Sequence, residues 1–195
     1  MNRETVVTQA LDLLDEVGLE DVSTRRLAKR LGVEQPSLYY HFRTKKDLLA
    51  AMAAAAMAPH TTAPLPTPED DWREWFLENS RSLRRTLLQR RDGARLHAGS
   101  APTGDLDRIR RKMHFLVASG VPEKAAQMAM LAASRYTVGC VLEEQADTGQ
   151  TEDLPADVPA LDHEAAFEAG LDLVLGGLLQ HAAPTDSTLH PEPER

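Results

Sequence analysis

Residues 23–46 read STRRLAKRLGVEQPSLYYHFRTKK, and this stretch decides the fold. Lys and Arg stand at 25, 26, 29, 30, 43, 45 and 46, and Glu34 is the single acid. The segment therefore carries +6 in a chain whose formal net charge is −8. A positive patch this concentrated on an acidic chain calls for a polyanionic partner. Ser23 is a good N-cap, because its side-chain oxygen can accept an orphan backbone N–H. Leu27, Ala28 and Leu31 then line one face of a short helix. Gly32 follows where a chain can leave a helix in the left-handed conformation. Val33 is the apolar plug of the turn, and Pro36 suits the first turn of a second helix. There Leu38 and Phe42 face inward, leaving Gln35, Ser37, Tyr39 and His41 outside. This is the layout of a helix-turn-helix, its first helix braced across a DNA backbone and its second in the major groove. Tyrosines and a glutamine among the cations can bond phosphates and base edges. The plain alternative is a solvated basic helix pair that meets no nucleic acid.

Upstream, Val6, Val7, Ala10, Leu11, Leu13, Leu14 and Val17 repeat at helical spacing over 4–17 and stop at Gly18. This helix is scaffold that completes a three-helix unit. Downstream, Thr44 and Asp47 set a capping-box pattern at the start of KKDLLAAMAAAAM (45–57), whose alanines favour helix. That helix is either a lever or a plain linker. Four prolines in PHTTAPLPTP (59–68) predict a loop or boundary.

Beyond it, Trp72, Trp75, Phe76, Leu83, Leu87 and Leu88 predict a long amphipathic helix over 70–91, followed by a short piece at 94–98. GSAPTG (99–104) breaks the chain. Helices are expected over 106–119 and from Pro122 to about 145. Residues 146–160 are acidic and read as mobile. FEAGLDLVLGGLL (167–179) holds more apolar surface than one monomer can bury, and predicts a subunit interface. The fold class is all-α. The expected domains are 1–58, a helix-turn-helix unit with its linker helix, and 69–181, a helical core. A polar, proline-rich tail over 182–195 is expected to be disordered.

The 195 residues are enough for a real core. Cys140 is the one cysteine, so an internal disulfide and a multi-cysteine metal site are both excluded. The N-terminal MNRETVVTQA lacks the apolar run of a signal peptide, and no stretch reaches the ~18–20 apolar residues of a membrane span. A soluble, cytoplasmic protein without a membrane partner is expected. A metalloenzyme built on His97 and Glu143 is disfavoured, because no nucleophile–base pair, His-rich cluster or phosphate loop accompanies them.

LLDEVGLE (13–20), the helix-turn-helix stretch and KKDLL (45–49) resemble the DNA-binding domain of the tetracycline repressor (TetR) family. RRDGARLHAGSAPT (90–103), YTVGCVLEEQ (136–145) and FEAGLDLVLGGL (167–178) are similar to the ligand-binding core of its tetracycline repressor subgroup. The resemblance covers roughly 3–181. It implies a homodimeric repressor of the antibiotic-response type. Its two heads would read an inverted-repeat operator with half-sites about one DNA turn apart or slightly more, and a small-molecule inducer would release it. By the same resemblance, Arg25, Gln35, Pro36, Ser37 and Tyr39 face bases, while Thr24, Tyr40, His41 and Lys45 hold phosphates. Packing against the helix pair is the plain alternative for Tyr40 and His41.

No cofactor is implied for DNA binding. In the core, the family's drug arrives chelated to magnesium, which implies a metal side at His97 and Glu143. Asn79 would grip the drug's polar edge and His60 would make a second contact. The loop from His97 to Pro102 would sense the ligand, beside Tyr136. A hard divalent ion held by one imidazole, with a carboxylate acting through water, is chemically sensible. This chain departs from the family's pattern at Leu83, Ser100, Lys112 and Arg135. The two new cations could meet a negative ligand group or pair with Glu143, and Arg135 has the alternative of a buried salt bridge to Glu143. Either pairing disfavours a nearby magnesium ion, so another anionic or polyketide-like compound is the rival inducer. A constitutive DNA-binding dimer and an activator are the remaining alternatives.

Overall fold

Asn2 accepts the Thr5 N–H through its side chain and opens α1 (Arg3–Val17), which Gly18 ends at φ 78°. In this computed structural model residues 2–100, 105–147 and 161–182 are described, and every regular element among them is a helix. Pro102, most of the acidic 146–160 segment and the tail after Ala182 lie outside the described residues. Ser23 caps α2 (Thr24–Leu31), and Gly32 leaves it at φ 66° in the left-handed region that glycine adopts without a Cβ clash. Pro36 sits in the first turn of α3 (Gln35–Tyr39). The reciprocal Thr44–Asp47 capping box starts α4 (Lys45–Ala56).

The expected loop at 59–68 starts later. Ala58–Thr61 form another turn, α5, with Pro59 near its start, where a proline displaces no intrahelical N–H. Asp71 caps α6 (Trp72–Leu88), and a tight turn leads to α7 (Gly93–Ala98). Then come α8 (Leu106–Ala118), α9 (Glu123–Ala146) and α10 (His163–Leu179).

Three apolar clusters hold these helices. Leu14, Leu27, Leu38, Phe42, Leu48 and Met52 form the centre of the N-terminal head, with Val33 packed against it. Burying each of these large side chains contributes about 1.5–3 kcal/mol. A second cluster joins Trp72 and Phe76 of α6 to Phe115, Ala129, Phe167 and Leu171. The third ties Met57, at the end of α4, to Leu83, Leu87, Ala94 and Val141. Buried Arg84 adds polar fastening: it bonds Glu144 of α9 at 2.7 Å and Glu164 of α10, and lies over the Phe167 ring. Beside it the Arg81 guanidinium grips Glu168 through Nε and Nη2 and holds that carboxyl below its ordinary range.

The head is hung on the turn between α6 and α7. Asp92 there adopts φ 54°, and its carboxylate accepts the Leu19 N–H at 2.7 Å. Arg90 pairs with Asp15, Arg91 donates to the Glu16 carbonyl, and Arg95 pairs with Glu20. From the other side Gln145 of α9 donates to the Leu87 and Arg90 carbonyls and accepts the Ala94 N–H. Leu96 of α7 is itself part of the head's core.

Gly93 has no room for a side chain, because a Cβ would come within 2.1 Å of the Leu87 carbonyl oxygen. Gly93→Ala is therefore expected to lower the unfolding free energy by about 1–3 kcal/mol through backbone displacement, measured by urea denaturation.

Candidate nucleic-acid interface and ligand pocket

The basic face is smaller than its composition suggests. Arg26 pairs with Asp21 at 3.2 Å, and Arg30 bonds Glu16 at 2.6 Å and Gln9 at 2.9 Å. Both are neutralised by the head itself. Arg25, Lys29, Arg43, Lys45 and Lys46 are exposed, and no ion pair engages them among the described residues. Pro36 and Ser37 are exposed beside them, as is Tyr39. Tyr40 is 91% exposed, in edge contact with His41. Gln35 and His41, expected outside, are half-buried, as is Thr24. Gln35 donates to Thr24 Oγ1 at 2.9 Å and to Tyr39 Oη at 3.3 Å, so these three polar groups form one connected row. The arrangement offers hydrogen-bonding side chains along a short helix, flanked by unpaired cations, as a phosphate-lined groove requires.

A second polar cluster lies among α5, α6, α7 and α8. Asn79 of α6 accepts from the Lys112 ammonium at 2.6 Å. His60 of α5 shares a hydrogen bond with Ser82 at 3.1 Å. Arg108, one turn before Lys112 on α8, donates to the Ala63 carbonyl. Burial, with Lys112, Arg108 and His97 nearby, pushes the His60 imidazole down to about 4, so it is neutral at pH 7. Burial also lowers the half-buried His97 imidazole. Burial and Arg108 push the Lys112 ammonium down to about 8.

The other pocket candidates scatter. Leu83 is buried in the cluster that joins α4 to the core. The Ser100 hydroxyl donates to the Leu96 carbonyl. Tyr136, expected as a ligand contact, donates to the Ala166 and Phe167 carbonyls and stacks on Phe167. Its approach to α10 depends on Gly170, where a Cβ would meet the phenol oxygen at 2.1 Å. Arg135 and Glu143 are both exposed, and the buried salt bridge between them does not form. Eight residues along a helix is a rise of about 12 Å, beyond direct pairing.

Arg108 and Ser82 escaped the sequence reading. The signal for Arg108 was its four-residue spacing from Lys112, which puts both cations on one face of α8. Among the described residues no group of three or more His, Cys, Asp or Glu side chains is placed to hold a metal ion.

With the geometry in view, the comparisons are specific. Residues 6–52 match the family model for bacterial regulatory proteins of the tetR family, and 63–163 match the tetracyclin repressor-like C-terminal domain. The chain is 44% identical over 191 residues to the tetracycline repressor protein class A from transposon 1721 of Escherichia coli, covering 89% of this chain and 88% of that one. It is 72% identical to a TetR-family transcriptional regulator from Streptomyces coelicolor of solved structure, with a TM-score of 0.75 over 92% of this chain and 99% of that one. It is also similar to TetR class A in complex with 5a,6-anhydrotetracycline and magnesium, at 40% identity and a TM-score of 0.77, covering 91% and 97% of the two chains.

Lys112 is a buried charge whose hydrogen-bond partner among the described residues is the neutral Asn79 amide, a costly arrangement. Its depressed protonation means the cost is full below about pH 8. It fades as the pH rises toward the ordinary lysine value of about 10.4. Lys112→Met is expected to raise the melting temperature by about 2–4 °C at pH 7, with a smaller gain at pH 10. Thermal unfolding at the two pH values measures this.

Proposed function

Because the chain belongs to the TetR family of bacterial regulatory proteins, we propose that it is a homodimeric repressor that holds inverted-repeat operator DNA until a small molecule enters the helical core. It is a regulator, not an enzyme. The observation that carries the reading is the row of exposed, unpaired cations around Gln35, Ser37 and Tyr39 on an otherwise acidic chain. Among the described residues no helix is long and apolar enough to cross a membrane, which agrees with a partner that is cytoplasmic DNA.

Dimerisation is supported by α9 and α10. Leu173 is 78% exposed and Met128 is also exposed, and with Ala125, Ala132 and Val174 they line an apolar groove, while Leu131 of α9 is exposed as well. Two copies of such a face bury each other through a two-fold axis. In the proposed organisation, 1–58 reads DNA and 69–181 binds the ligand and the second copy. Arg25, Gln35, Pro36, Ser37 and Tyr39 are proposed to face bases, and Thr24, Tyr40, His41 and Lys45 phosphates. His60, Asn79, His97 and Lys112 are proposed as the ligand contacts, with an inducer that is tetracycline-like or another polyketide or anionic compound.

Induction is a shift between two separations of the reading heads, and the inducer must bind the separation that does not fit DNA more tightly. Magnesium accompanies anhydrotetracycline in the class A relative. Here His97 supplies an imidazole, but Glu143 is exposed and Lys112 is an ammonium inside the same cluster. A chelating drug and water can bring the oxygens a hard dication needs, but the Lys112 ammonium in the same cluster repels a second positive charge placed beside it.

The test is retrieval of DNA from a random pool by the full-length protein, followed by competition with tetracyclines and polyketide acids. Enrichment of an inverted repeat, and at least about tenfold loss of its binding with one compound, is expected. A pool that never enriches sinks the proposal. On the selected site, Arg25→Ala is expected to relax base preference at one position by about 1–3 kcal/mol. Lys45→Ala is expected to weaken all sequences alike and reduce the salt slope by about 1. Binding titrations at several salt concentrations separate the two.

A further inference from the structure

Arg108 and Lys112 stand one turn apart on α8, near enough for the Arg108 charge to act on Lys112, and each keeps an unused donor. Lys112 is 9% exposed, and one of its three N–H groups goes to the neutral Asn79 amide. Arg108 is tied by Nη2 to the Ala63 carbonyl, while its Nε–H is buried with no partner. No carboxylate pairs with either among the described residues. Elsewhere in the same core a buried charge is matched: Arg84, as enclosed as Lys112, has both Glu144 and Glu164, although its own Nε–H is likewise without a partner. A desolvated cation without a counter-ion burdens the fold, and the burden is relieved when something else supplies the anion. The groups around the pair do not supply it. His60, with Ser82, and His97 are imidazoles, Asn79 is an amide, and Glu143 is exposed on α9.

We infer that the pocket takes its ligand as a metal-free organic anion, whose deprotonated oxygen is bound by Lys112 Nζ and Arg108 Nε. A carboxylate, phenolate or enolate shares the required chemistry: one localised negative oxygen beside an apolar body. The ammonium supplies the positive charge that a bound dication would otherwise bring, so a magnesium chelate would place like charges together. The inference rests on the reading of the chain as a ligand-responsive regulator and sets the chemical class of its ligand.

The experiment uses the full-length protein and two probes, anhydrotetracycline for an enolate and 2-naphthoate for a carboxylate without a chelating edge. Each is titrated calorimetrically in EDTA and in magnesium. At least one probe is expected to bind in EDTA, with magnesium changing its affinity by less than about threefold. Lys112→Gln is expected to weaken binding in EDTA by at least about tenfold, the loss of one charge-assisted hydrogen bond. Lys112→Arg, which keeps the charge, is expected to stay within about tenfold of the parent. Which probe binds distinguishes enolate from carboxylate. Binding of both only with magnesium, binding of neither, or an unweakened Lys112→Gln overturns the inference. The regulator reading is judged apart from this, on enrichment of inverted-repeat DNA, so the two can fail separately.

Discussion

One hydrogen bond organises the relation between the two halves of this chain: the Leu19 N–H on the Asp92 carboxylate. The ion pairs around it, the partly exposed Arg90 with Asp15 and the more exposed Arg95 with Glu20, are screened by solvent, so each contributes little alone. Position comes from what surrounds them. Asp92 sits in a turn braced by Gln145, Gly93 lets that turn close against Leu87, and Leu96 is sunk in the head's own core. The short helix α7 thus carries three things within one and a half turns. It begins at the clasp, inserts Leu96 into the head, and turns His97 toward the polar cluster. In the proposed mechanism, anything that displaces His97 acts on the element that holds the head, so that a small change in a packed core is passed on to the reading surface.

The same cationic side chains play opposite energetic parts in the two halves. On α2 and after α3, Arg25, Lys29, Arg43, Lys45 and Lys46 stay hydrated and cost the fold little, while Arg26 and Arg30 are tied to Asp21 and Glu16. A polyanion can be met by the first group without breaking anything. In the core, Lys112 is buried and the half-buried Arg108 keeps its Nε–H covered, and neither meets a carboxylate among the described residues, so their charge is felt as a requirement on whatever enters. Several other arginines of the core, Arg81, Arg84 and Arg90 among them, are matched by carboxylates.

The helices with strong local signals were legible in the sequence. The Ser23 cap, the capping box at Thr44 and the left-handed Gly32 each depend on neighbours within a few residues. Pro59 misled, because a proline reads as a breaker unless the next helical turn is known to start there. The pocket was legible in part. His60, Asn79 and Lys112 do come together, whereas Tyr136 faces α10 and Arg135 faces solvent. On a 24-residue helix that is packed on several sides, spacing alone does not say which stripe faces which neighbour.

The sequence by itself determined the all-helical class, the helix-turn-helix and its basic face, and the apolar excess of the last helix. Each of these is written in short-range periodicity, capping and charge. Only the tertiary structure decided that Asp92 clasps the head, that Gln145 braces the turn, that Glu143 stays outside, and that Arg108 joins Lys112 without a counter-ion. Those outcomes depend on which helices become neighbours across 30 to 80 residues of chain, and on what burial then does to a charge that local sequence records only as a letter.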